Sequence, residues 1–171
     1  MLILVSGGSA SGKSKYAEDL VVQGPPGERI YVATMQVWDA ESRRRVERHR
    51  AMRAGKGFCT EERPVHLFEM PIPAGAVALL EDLSNLTANE WFGPEGPEGA
   101  EERVLSGIRR LKAESACTVV VTNELFSDGI VYDRETADYL SALARLNRAV
   151  AAEADQVYEV VCGIPVCWKG A

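Results

Sequence analysis

The stretch Leu2-Ile3-Leu4-Val5-Ser6-Gly7-Gly8-Ser9-Ala10-Ser11-Gly12-Lys13-Ser14 decides the fold. It begins as a short apolar run and ends in paired glycines, which reads as a buried strand meeting a tight turn. Residues 7–14 then fit G-x-x-x-x-G-K-[ST], the loop whose backbone amides surround nucleotide phosphates. Glycines remove the side chains that would stop those amides from pointing at oxygens, and the helix that follows aims its positive end at the same phosphates. Lys13 is expected to reach the β and γ phosphates, and Ser14 to offer its hydroxyl to Mg²⁺. A chain of this length matches the pattern by chance about once in 200. The strand before it and the helix after it make an accident rarer still.

Outward from the loop, residues 13–22 carry Ala17, Leu20 and Val21 at helical positions. Arg29-Ile30-Tyr31-Val32-Ala33-Thr34 reads as a second strand, and 39–53 as a helix with an acidic start. Val77-Ala78-Leu79-Leu80 and Cys117-Thr118-Val119-Val120-Val121-Thr122 are apolar or β-branched runs of the kind that interior parallel strands show. Helices are expected over 100–114 and 134–154. A final strand, 156–162, leads through Gly163 to Ile164-Pro165-Val166. The segment 92–99, rich in glycine and proline, reads as a surface loop. Strands alternating with helices predict one α/β domain over residues 1–171, with a mostly parallel sheet covered on both faces.

Composition narrows the function. The formal net charge of -6 argues against a protein that binds nucleic acid broadly by neutralising phosphates. No run approaches eighteen apolar residues, and the N-terminal run is too short and lacks a basic lead for a signal peptide, so a cytoplasmic protein without a membrane span is expected. Cys59, Cys117, Cys162 and Cys167 are scattered without a CxxC pair, which suits reduced thiols better than disulfides or zinc ligands.

A loop of this type also needs a carboxylate near the metal, commonly at the end of a neighbouring strand. Glu81 and Asp82 both stand at such an end, and either fits; Asp82 equally suits a cap on the next helix. Residues 39–53 hold Arg43, Arg44, Arg45, Arg48, Arg50 and Arg53 against Asp39, Glu41 and Glu47, a confined basic patch in an acidic chain. On a helix, Arg45, His49 and Arg53 share a face that could grip a triphosphate through its guanidiniums. Neighbouring positive charge disfavours the imidazolium, which favours a nucleophilic His49. A solvated histidine on a charged helix is the plainer reading of the same residues. His66, within Pro64-Val65-His66-Leu67-Phe68, reads as a strand or loop residue with no assigned role.

Several blocks together resemble one family, the bifunctional adenosylcobinamide kinase/adenosylcobinamide-phosphate guanylyltransferases. They are Ile3 to Ser14, Tyr31-Val32-Ala33-Thr34, and Arg45-Val46-Glu47-Arg48-His49-Arg50 with Arg53. Thr60 with Glu62 and Leu79-Leu80-Glu81 with Asn89 match more loosely. Val121-Thr122-Asn123-Glu124 followed by Gly129-Ile130-Val131 matches well, as does Leu146-Asn147 through Ala154-Asp155 to Gly163-Ile164. The chain departs from the family pattern at Tyr132-Asp133, Leu140-Ser141, Phe58 and Asp82.

The resemblance implies a RecA-like P-loop fold and two reactions: phosphorylation of the adenosylcobinamide hydroxyl, then guanylyl transfer from GTP onto that phosphate through a histidine-bound GMP. Carried over residue by residue, it makes His49 and Lys13 catalytic. It gives nucleotide binding to Gly7, Gly8, Ser9, Ala10, Ser11, Gly12, Lys13, Ser14, Thr34, Arg45, Arg53, Glu62 and Glu81, and Mg²⁺ to Ser14 and Glu81. The implied cofactors are GTP, ATP and Mg²⁺, and the implied partner is a corrinoid, with no nucleic acid. A homo-oligomer is implied, a trimer being one reading. From the residues alone, a P-loop kinase of another small alcohol and a nucleotide-binding regulatory module stay open.

Overall fold

A computed structural model describes residues 1–36, 40–127 and 129–170, with all side chains there except those of Glu41, Ser42, Arg45 and Met52. The chain runs β1 (Leu2–Gly7), α1 (Lys13–Gln23), β2 (Arg29–Ala33), α2 (Ala40–Arg53), β3 (Phe58–Glu62), a 3-10 turn (Leu67–Glu69), β4 (Val77–Glu81), α3 (Leu83–Phe92), α4 (Ala100–Glu114), β5 (Cys117–Asn123), α5 (Arg134–Glu153), β6 (Gln156–Val161) and β7 (Ile164–Lys169). Asp39, expected at the acidic start of the second helix, lies outside the described residues.

The strands form one seven-stranded sheet in the order β3-β2-β4-β5-β1-β6-β7. All neighbours are parallel except β6 and β7. Burial on both faces explains the unbroken apolar runs. Successive residues of a strand point to opposite sides, so Leu2 and Leu4 join one core with Leu83, Leu86, Ile108, Leu143 and Leu146 of α3, α4 and α5. Ile3 and Val5 join the other, with Ala17 and Val21 of α1. Among the described residues, no helix is long and apolar enough to cross a membrane, and the four cysteines are free.

Two elements were not foreseen. β3 is an edge strand with no buried residue, so it carries no apolar alternation to read. The buried stripe of α3 mixes Leu83 and Leu86 with Ser84, Thr87 and Glu90, which hides its helical period. The end of the chain also differs in detail: after β6 it reverses at Cys162 and Gly163, both at positive φ, into an antiparallel edge strand.

Parallel strands put their C-terminal ends on one edge of the sheet, where open α/β sheets bind ligands. Gly7 is level with Asn123, and Ala33 with Glu81, so the phosphate loop and the β4 carboxylate meet at that edge. The β6–β7 turn braces the loop from the side. The Gly163 amide donates to the Ser11 carbonyl at 2.8 Å. A Cβ on Gly12 would sit 3.3 Å from Gly163 Cα, and one on Gly7 2.7 Å from the Val160 carbonyl oxygen. Glycine is needed at both for packing as well as for amide access.

Candidate active site

Gly12 caps α1 in the left-handed region at φ 95°, so the chain leaves the loop and enters the helix with its first-turn amides facing the cleft. Lys13 is buried, and its Nζ donates to the Gly8 carbonyl at 3.0 Å. That bond uses one of three ammonium donors and leaves the others for phosphate oxygens.

Ser14 Oγ donates to Glu81 Oε1 at 2.7 Å. Glu81 is buried, and its Oε2 has no hydrogen-bond partner. Burial foremost, then the adjacent Asp82 charge, pushes the Glu81 carboxyl up to about 8, against the pull of the Ser14 bond and the Lys13 charge. An orphaned buried carboxylate oxygen beside a hydroxyl suits a hard cation that completes its shell with phosphate and water oxygens. Asp82 also lies on the cleft, but its oxygens accept from the Asn85 amide at 2.7 Å, from Asn85 Nδ2 at 3.1 Å and from Asn123 Nδ2 at 2.9 Å. Between the two carboxylates the geometry favours Glu81 for the metal and makes Asp82 the cap of α3.

Thr34 stands behind these groups. Its hydroxyl donates to the Asp82 carbonyl at 2.9 Å and accepts from the Asp82 amide at 2.7 Å, while its own amide donates to the Glu81 carbonyl at 3.1 Å. Fully buried, it fixes the backbone of Glu81 and Asp82.

The opposite wall is α2. His49 is half-buried and lines the cleft. Arg53, one turn later, is buried with its guanidinium 3.3 Å from the centroid of the Tyr31 ring, and its Nη1 has no hydrogen-bond partner. Arg50 reaches Glu62 at 2.7 Å. The side chain of Arg45 lies outside the described ones.

These groups surround one cleft of about 1420 Å³, larger than the roughly 300–1,000 Å³ typical of one small-molecule site. Ser9, Ala10, Ser11, Gly12, Lys13, Ser14, His49, Arg53, Glu62 and Glu81 all line it, whereas Gly7, Gly8 and Thr34 do not. Sequence reasoning gave no role to Tyr31, Asn85 or Asn123, which line it too. Asn123 had a signal in the Thr122-Asn123-Glu124 block. Tyr31 stood in a block of the same resemblance, but an aromatic in an apolar strand reads as core.

Residues 3–168 match the family model described as cobinamide kinase / cobinamide phosphate guanyltransferase. The chain belongs to the cobinamide kinase / cobinamide phosphate guanyltransferase family. The bifunctional adenosylcobalamin biosynthesis protein CobU of Escherichia coli (strain K12) is 36% identical, over 97% of this chain and 98% of its own length. CobU of Salmonella typhimurium is 32% identical over the same shares, and CobP of Pseudomonas aeruginosa 29% over 98% and 96%. Among solved structures, an ATPase domain superposes with a TM-score of 0.51 at 8% identity, covering 92% of this chain and 68% of that one. The flagellar accessory protein FlaH from Methanocaldococcus jannaschii gives 0.51 at 14%, covering 98% and 77%. These likenesses speak to the fold of this cobinamide kinase family member, which is the RecA-like P-loop architecture.

Proposed function

We propose that this chain phosphorylates the side-chain hydroxyl of adenosylcobinamide and then transfers GMP from GTP to the resulting phosphate, with His49 carrying the GMP between. The observation that supports this most is the shared cleft: phosphate loop, Glu81 and His49 border one space roomy enough for a nucleotide and part of a second substrate.

In the kinase step the corrinoid hydroxyl oxygen attacks the γ-phosphorus. The bond to the β–γ bridging oxygen breaks, the nucleoside diphosphate leaves with the electron pair, and the hydroxyl proton goes to water. Either ATP or GTP satisfies this chemistry. In guanylyl transfer a ring nitrogen of His49 attacks the α-phosphorus of GTP, and pyrophosphate departs with the electron pair of the broken P–O bond. An oxygen of the corrinoid phosphate then attacks the same phosphorus, and the P–N electron pair returns to the imidazole. Two in-line displacements replace one harder step.

Lys13 and the loop amides hold the triphosphate, and the buried Arg53, with Arg45, offsets charge that develops on it. Ser14 and Glu81 would hold Mg²⁺, whose chemistry is to offset phosphate charge. Glu62, paired with Arg50, borders the nucleotide space. The exposed apolar residues Ile164 and Trp168 on edge strand β7 support a homo-oligomer. We read the cytoplasm as its setting, and no nucleic acid as a partner.

Incubation with Mg²⁺ and GTP labelled at the α-phosphorus tests the reading. An acid-labile protein adduct that disappears in His49→Ala is expected. An adduct that survives the substitution, or none in the unaltered chain, would remove the guanylyl-histidine. Turnover of adenosylcobinamide without any adduct would leave a plain P-loop kinase.

A further inference from the structure

A helix that is polar on every side has no apolar face to seat it. The helix that carries His49 is of this kind: Arg43, Arg44, Arg48 and Arg50 are exposed, and its composition is strongly polar. Among the described residues, its C-terminal root is firmly held. There Arg53 lies on Tyr31, and the chain turns through Gly55 and Gly57, both at positive φ, with Lys56 between them.

Lys56 Nζ donates to Glu18 Oε2 at 2.6 Å. Glu18 is fully buried, and its other oxygen, also buried, has no hydrogen-bond partner. The Lys56 carbonyl accepts from Arg29 Nη1 at 2.8 Å, which fixes the same residue to β2. Glu18 belongs to α1, the helix that Lys13 begins.

We propose that Glu18 and Lys56 are positioning residues for guanylyl transfer, tying the root of the His49 helix to the helix that opens at the phosphate loop. This rests on His49 carrying the GMP. The pair touches no substrate; it sets where the imidazole stands relative to a phosphorus held by the loop. Buried ion pairs add little net stability compared with apolar packing, but breaking one leaves an uncompensated charge, so they favour a single geometry. The exposed Arg50–Glu62 pair, 57% and 70% exposed, has no comparable hold. The kinase step uses the loop without the imidazole, and is therefore far less sensitive to the pair.

Full-length chains carrying Lys56→Met, Glu18→Gln or Lys56→Arg are compared for two rates in one preparation. These are single-turnover transfer of label from α-labelled GTP to the protein, and phosphorylation of adenosylcobinamide. Lys56→Met and Glu18→Gln are expected to slow label transfer relative to the kinase rate by roughly tenfold to a hundredfold, the cost of a misplaced reacting group. Lys56→Arg keeps a cation within reach of Glu18 and is expected to restore the ratio. Both rates falling in parallel, or an unchanged ratio in Lys56→Met, would overturn the proposal. If Lys56→Met does not fold, because it leaves the buried Glu18 charge unpaired, Glu18→Gln decides, since it removes that charge and leaves only a Lys56 side chain that is 27% exposed. Label that persists in His49→Ala would defeat the histidine reading itself, whatever the Lys56 variants do.

Discussion

Ser14 Oγ and Glu81 Oε1 are joined by a 2.7 Å hydrogen bond that links the phosphate loop to the end of β4. With Glu81 pushed up to about 8 by burial and by Asp82, the folded chain holds a proton that the unfolded chain gives up near the ordinary value of 4.5. The stabilisation is therefore fully present below about pH 4.5 and is lost as pH rises through about 8. Without metal or nucleotide, thermal midpoints are expected to fall between about pH 5 and 8. Glu81→Gln should flatten that slope, leaving the contribution of Asp82, whose carboxyl burial also raises. A slope identical in the variant would contradict the assignment.

Lys13 meets the Gly8 carbonyl at 3.0 Å and lines the cleft. Removing its charge should weaken both reactions together, since on the proposed mechanism both draw on one loop. Lys13→Met is expected to lower each rate by roughly a hundredfold or more, the usual loss for a transition-state electrostatic contact. Steady-state rates for the two half-reactions check this. A Lys13 variant that keeps one of them would mean a second phosphate site.

Thr34 shares two hydrogen bonds with the Asp82 backbone in a fully buried place. Thr34→Val keeps the shape but leaves the buried Asp82 amide unsatisfied, while the Asp82 carbonyl keeps its bond from the Leu86 amide, a loss of about 1–3 kcal/mol. Chemical denaturation should show that loss, and Thr34→Ser, which keeps the hydroxyl, much less of it. If Thr34 instead served the nucleotide directly, affinity would fall with stability unchanged.

Arg53 and Tyr31 stack at 3.3 Å, away from bulk water. A desolvated cation–π contact of this sort contributes about 2 kcal/mol. Arg53→Lys and Tyr31→Leu should each slow guanylylation, and the double variant should lose less than the two singles combined, because the residues act as a unit. A double-mutant cycle on the labelling rate measures the coupling. Strict additivity would separate the two.

The phosphate loop was legible because its residues are chosen by backbone geometry and phosphate chemistry, and both leave a local signature in sequence. The parallel core was legible for a related reason: strands buried on both faces cannot hide their apolar runs. β3 and α3 were not, since an exposed edge and a half-polar stripe lack a clean period. Glu81 could be narrowed only to a choice with Asp82. What separates them is which oxygen remains without a partner, and that depends on Asn123, far away in the chain. Tyr31 and Thr34 became interpretable only through what they touch.

The turn at Gly163 that leans on Ser11 and Gly12 makes the start of the chain wait for its end. β1 lies between β5 and β6, so during synthesis the glycine loop emerges early but lacks β5 until residue 123 and lacks β6 and its brace until residue 163. On the proposed reading, a loop able to grip phosphate thus forms late in the life of a nascent chain. Loss of the last hairpin would disarm a loop whose own residues are all intact.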